Sequence, residues 1–177
     1  MADTRLLSPR PSTLDEDAFV ACYGDVYELS PWIARQTHRQ GLGEEDDRPA
    51  ALAARLAAVF DAADAQAQLK VLRAHPDLAG KLAVGEALTA DSSAEQAGAG
   101  LDQCTPEEFE RFQALNEEYK ARFRFPFILA VRGLHRRDIL AAFEARVSND
   151  PETERATAVA QVNRIAALRL AARVGVN

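Results

Sequence analysis

Apolar residues in this chain recur every three to four positions and almost nowhere every second position. In TPEEFERFQALNEEYKARF (105–123), Phe109, Phe112, Leu115 and Tyr119 fall on one face of a helix and the charges on the other. Thr105 supplies an N-cap oxygen, Pro106 a preset first-turn φ and Glu108 the acid of a capping box. The same period runs through RPAALAARLAAVFDAA (48–63), AQAQLKVLRAH (65–75), RDILAAFEARV (137–147) and PETERATAVAQVNRIAALRLAARV (151–174), with Asp150 and Pro151 opening the last. Thr13 and Glu16 have capping-box spacing ahead of AFVACY. No segment alternates at period two over a useful length. The expectation is an all-α fold, a single-domain helical bundle spanning 1–177, with 1–12 as a flexible N-terminal extension.

One stretch resists the helical pattern. FRFPFILAVRG (123–133) mixes aromatic and β-branched residues around Pro126. A proline in a central strand removes a ladder hydrogen bond, so the stretch reads as an irregular approach into a short helix. QGLGEEDDRP (40–49) and AVGEALTADSS (83–93) read as polar connectors, without the length or composition of an interdomain linker.

Charge and cysteine usage narrow the function classes. Lys and Arg number 21 against 27 Asp and Glu, a net charge of −6, which disfavours long-range attraction to nucleic acid or anionic lipid. Cys22 and Cys104 form no CxxC pair and suit a reducing compartment. No apolar run reaches the roughly 20 residues of a membrane span, and the N-terminus lacks a signal-peptide pattern. The chain is expected to be soluble and cytoplasmic. His38 and His135 occur in no H-x-H or H-E-x-x-H arrangement, and no phosphate-binding glycine loop or G-x-S-x-G is present. Neither a metal nor a cofactor is expected.

Three segments have compositions suited to chemistry. HPDLAGK (75–81) places His75 before a proline, which disfavours helical backbone at the histidine and suits a helix entrance at Pro76. An imidazole at a helix N-terminus beside an anionic ligand is a candidate acid/base group; a capping or core histidine is the alternative. SSAEQAGAGLD (92–102) has the S-x-x-E spacing of a capping box at Ser92 and Glu95, yet Gly98 and Gly100 each cost a helix interior about 1 kcal/mol relative to alanine. Two glycines there would admit a close backbone or a small ligand, and the Gln96 amide both donates and accepts, which suits a ureido or imide group. In YKARFRFPFILAVRG, Lys120, Arg122, Arg124 and Arg132 flank a break in helical regularity, either to hold a carboxylate or simply as solvated cations.

Taken in order, HPDLAGK, SSAEQAGAGLD and FRFPFILAVRG resemble the 2-oxo-4-hydroxy-4-carboxy-5-ureidoimidazoline (OHCU) decarboxylases of urate degradation. FVACYGDVYELSPWIA and VNRIAALRL extend the resemblance from about Leu14 to about Ala172. The resemblance implies a cofactor-free, all-helical carboxy-lyase, commonly homodimeric, that converts the small molecule OHCU to (S)-allantoin with loss of carbon dioxide. By motif match, His75 and Glu95 are the implied catalytic residues. Pro76, the segment Ser92, Ser93, Ala94, Glu95 and Gln96, and the segment Phe127, Ile128, Leu129, Ala130 and Val131 are the implied substrate contacts. One departure stands out: the family's usual glycine between the first two aromatics is Arg124 here, which puts the local backbone turn in question. Alternatives from other classes are a helical binding or scaffold protein without activity, and a lyase for a related ureido or imidazoline substrate.

Overall fold

The computed structural model describes residues 5–80 and 88–174. Among them are eight α-helices: α1 (Glu16–Tyr23), α2 (Trp32–Arg39), α3 (Pro49–Asp61), α4 (Ala65–Ala74), α5 (Ala90–Gly98), α6 (Pro106–Phe123), α7 (Arg136–Arg146) and α8 (Pro151–Ala171). Short 3₁₀ turns occupy Pro11–Thr13, Glu44–Asp47 and Leu101–Gln103. No strand occurs among the described residues; a lone bridge pairs Leu7 with Val174. The all-α expectation is met, for the reason the periodicity supplied. The residues group into two compact units, one of Met1–Ala74 with Asn163–Asn177 and one of His75–Val162.

In the first unit α1, α2 and α3 pack in succession. They bury Phe19, Tyr23, Ile33, Leu52, Leu56 and Phe60. Three features differ from the sequence expectation. The cap of α1 is Asp15, whose side chain accepts from the Ala18 amide, while Thr13 lies in the preceding 3₁₀ turn and bonds Arg10. The expected extension is tied down from residue 5 onward: Leu7 is 1 % exposed, its amide bonds the Asp47 carbonyl, and Ser12 donates twice to the Asp47 carboxylate. Asp46 and Asp47, read as part of a polar connector, are buried because they accept from Gly43 and from Ser12. A third buried carboxylate, Glu28, pairs with Arg169 of α8 at 2.9 Å, both side chains 3 % exposed.

The second unit is organised around α6. Its capping box forms as read, with Thr105 and Glu108 exchanging side-chain and backbone bonds. Phe112, Leu115 and Tyr119 are fully buried and Phe109 only half-buried, while Asn116 and Phe123 join the buried face. Tyr119 sits among Phe123, Phe125, Phe127 and Phe143 at centroid distances of 4.5–5.8 Å. Its hydroxyl donates to Glu154, which is 0 % exposed and also accepts from Arg146 and Asn149. Burial and the Glu154 carboxylate push the Tyr119 phenol far above its ordinary value, so it stays a donor.

Candidate active site

Each segment singled out in the sequence lies within the second unit, and each is held by a different device. His75 directly follows the last residue of α4, not the start of a helix as expected. The pre-proline restriction therefore acts as a stop signal here. The continuation of the motif from Lys81 lies outside the described residues, and among those described no helix N-terminus lies at His75 to act on its imidazole. The imidazole is buried, at 9 % exposure, with Pro76 half-buried beside it.

SSAEQ lies inside α5. The N-cap is Thr89, whose hydroxyl accepts from the Ser92 amide at 3.4 Å, so Ser92 and Glu95 are not a capping box. Helical spacing puts Ser92, Glu95 and Gln96 on one face: Ser92 and Gln96 are buried and Glu95 half-buried, whereas Ala94 is exposed on the other side. Gln96 is committed to the histidine loop. Its Nε2 donates to the Asp77 carbonyl at 3.3 Å and its Oε1 accepts from the Ala79 amide at 3.1 Å. This pair of bonds joins two sequence-distant motifs and holds Ala79 in the left-handed region at φ 56°.

The two glycines lie at the C-terminal end of α5. Gly98 ends α5, and among the described residues nothing lies within 4 Å of where its Cβ would stand. Gly100 has φ +76°, the left-handed turn that ends the helix, and a Cβ there would press on Arg136 at 3.3 Å.

Phe127, Ile128, Leu129, Ala130 and Val131 form an irregular run, and no helix follows until Arg136. The expected short helix is absent. Side chains from α7 and α8 satisfy the backbone instead: Arg146 donates to the Ile128 carbonyl at 2.7 Å, and the Ala130 amide donates to Gln161 at 2.9 Å. Phe127 is stacked on Phe143 at 3.9 Å with the Arg146 guanidinium 4.4 Å over its ring, which leaves its side chain in the core. Leu129 and Ala130 are half-buried. Arg122 is spent on the carbonyls of Ser148 and Asn149. Arg124 has φ 67°, so a non-glycine residue adopts the left-handed turn that ends α6.

The sequence reading overlooked Asn116, Arg146, Glu154 and Gln161, which support these segments from behind. Asn116 had a visible signal, an amide on the apolar stripe four residues after Phe112 and three before Tyr119.

The family model for OHCU decarboxylase matches residues 12–171. The chain belongs to the OHCU decarboxylase family. It is similar to the 2-oxo-4-hydroxy-4-carboxy-5-ureidoimidazoline decarboxylase of Haloferax volcanii, 41% identical over 160 residues covering 90% of this chain and 91% of that protein. The corresponding protein of Mus musculus is 36% identical over 166 residues, 93% of this chain and 90% of its own length. Among solved structures, one described as (S)-allantoin synthase is 29% identical with a TM-score of 0.73; it covers 93% of this chain, which spans 52% of that one. Another, OHCU decarboxylase in the presence of (S)-allantoin, is 19% identical with a TM-score of 0.65, covering 90% and 97% of the two chains, and speaks to the fold alone. Among the described residues of this family member, no three His, Cys, Asp or Glu side chains converge as a metal site would need, and no helix is long and apolar enough to cross a membrane.

Proposed function

We propose that this chain decarboxylates OHCU to (S)-allantoin, with His75 as acid/base and Glu95 beside it. The observation that carries the reading is the Gln96 clamp, which fixes the His75 loop against the same face of α5 that presents Ser92 and Glu95. The substrate suits so small a set of groups. As the carboxyl–carbon bond breaks, its electron pair is taken up by the substrate's own ring imine and carbon dioxide leaves. The imine nitrogen takes up a proton, the adjacent hydroxyl gives up its own to become the ring carbonyl, and a proton added to one face of the ureido-bearing carbon sets the S configuration. The protein has to orient the substrate, hold the departing carboxylate away from water and deliver that proton, for which a buried imidazole is apt.

Substrate contacts are assigned to Pro76, to Ser92, Ser93, Glu95 and Gln96, and to the 127–131 run, where half-buried Leu129 and Ala130 offer apolar surface. Ala94, exposed on α5, is the weakest member of that set. Gln96 contributes by holding the loop, with one Nε2 hydrogen and one Oε1 lone pair left for the ureido arm. The reading includes a homodimer in the cytoplasm, a location consistent with two unpaired half-buried cysteines. The test follows freshly generated OHCU by circular dichroism. Accelerated appearance of (S)-allantoin is expected, and a rate equal to the buffer control would overturn the assignment. Light scattering at assay concentration tests the dimer.

A further inference from the structure

Three side chains of α6, at spacings of three and four, reach the loop that follows His75. Gln113 Nε2 donates to the Ala79 carbonyl at 3.4 Å, Asn116 Nδ2 to the Leu78 carbonyl at 3.0 Å, and Lys120 Nζ to the Asp77 carboxylate at 2.6 Å. With Gln96 on the Asp77 carbonyl and the Ala79 amide, three consecutive loop carbonyls each receive a side-chain N–H. Asn116 is the innermost of the α6 set. It is 2 % exposed, whereas Gln113 is half-buried and the Lys120 pair lies towards solvent.

Asn116 is also costly to the fold. Its Oδ1 is buried without a hydrogen-bond partner among the described residues. Buried acceptors are nearly always paired, because desolvating one without compensation is unfavourable. Stability alone therefore gives no reason for an amide on a stripe otherwise made of Phe112, Leu115 and Tyr119. Its Nδ2 bond to Leu78 supplies one. The loop it holds includes Ala79 at φ 56°, a conformation an alanine keeps only when its surroundings enforce it.

We propose that Asn116 is a positioning residue for the decarboxylation. Its hold on the Leu78 carbonyl sets the backbone from which the His75 imidazole is aimed. This inference rests on the assignment of His75 given above, and the test separates the two.

Asn116→Leu keeps the branched shape and removes the donor, and Asn116→Ser removes the reach while remaining polar. Both are compared with wild type for kcat, KM, thermal melting and the three histidine Cε1–H resonances in NMR. The expected result is a kcat lowered at least ten-fold with KM within about two-fold. The His75 resonance moves, while those of His38 and His135 stay in place. A cooperative melt with unchanged kcat and an unmoved His75 resonance in either variant overturns the proposal and makes Asn116 a packing residue. If Asn116→Leu does not fold, Asn116→Ser decides by the same readouts. Wild-type protein that fails to accelerate OHCU loss overturns the functional assignment and this inference together; active wild type with unaffected variants overturns this inference alone.

Discussion

At the scale of single residues, His75, Glu95 and Arg124 make separable predictions. His75→Asn retains a polar side chain but cannot exchange a proton near neutral pH. A positioned acid/base group contributes about 10²–10⁴-fold, so kcat is expected to fall by that factor with the far-ultraviolet spectrum unchanged. A variant as fast as wild type would make His75 a structural residue. Glu95→Gln isolates charge from shape: the cap of α5 is Thr89, so no helix end depends on Glu95. Turnover should drop while the melting temperature holds. Arg124 pays a backbone cost, since φ 67° is disfavoured for any residue with a Cβ by about 1–2 kcal/mol. Glycine relieves it and loses part of the gain to its freer unfolded chain, roughly 0.5–1 kcal/mol. Arg124→Gly is therefore expected to raise the melting temperature by about 2–4 °C, measured by differential scanning calorimetry.

Pairs of elements are joined by charges whose worth depends on pH. Glu16, in the first turn of α1, accepts from Arg35 and Arg39, one turn apart on α2. The Arg39 and Arg35 guanidinium groups hold the Glu16 carboxyl well below its ordinary 4.5, at about 2. A carboxylate depressed by folding adds stability that is present above its unfolded value and is lost as pH falls through the folded one. The Glu16 contribution should therefore disappear between about pH 4.5 and about pH 2. Glu16→Gln is expected to flatten the decline of the urea midpoint across that window relative to wild type. Added salt should shrink the difference, because the cluster is solvent-exposed. Parallel slopes for the two proteins would show that the α1–α2 cluster contributes nothing.

For the molecule as a whole, the beginning of the described chain is part of the first unit and not an appendage. Leu7 is buried and bridged to Val174, and Ser12 satisfies the buried Asp47. Truncating a buried leucine to alanine typically costs about 2–5 kcal/mol, the transfer term plus the cavity. Leu7→Ala should lower the unfolding free energy from urea titration by that amount. A loss under about 0.5 kcal/mol, the range of ordinary surface substitutions, would return residues 5–12 to the status of an extension.

The existence of α1, α3, α4, α6, α7 and α8 and the identity of the three motif segments were legible in the amino-acid order, because both depend on local spacing; α2 and α5 were not. Caps and first-turn prolines announce α6 and α8, and the 3.6-residue period announces α3, α4 and α7. The bonds among segments were not legible. Whether Pro76 starts a helix or merely ends α4 depends on what the 77–79 backbone bonds to, and those partners, Gln96 and Asn116, lie 17 and 38 residues away along the chain. The run after Pro126 stays irregular because Arg146 and Gln161 satisfy part of its backbone from other helices, so no helix is needed to pair those groups. A local pattern specifies which backbone groups an element can satisfy by itself; only tertiary packing decides which distant side chains take the remainder, and that choice is what sets the geometry around His75.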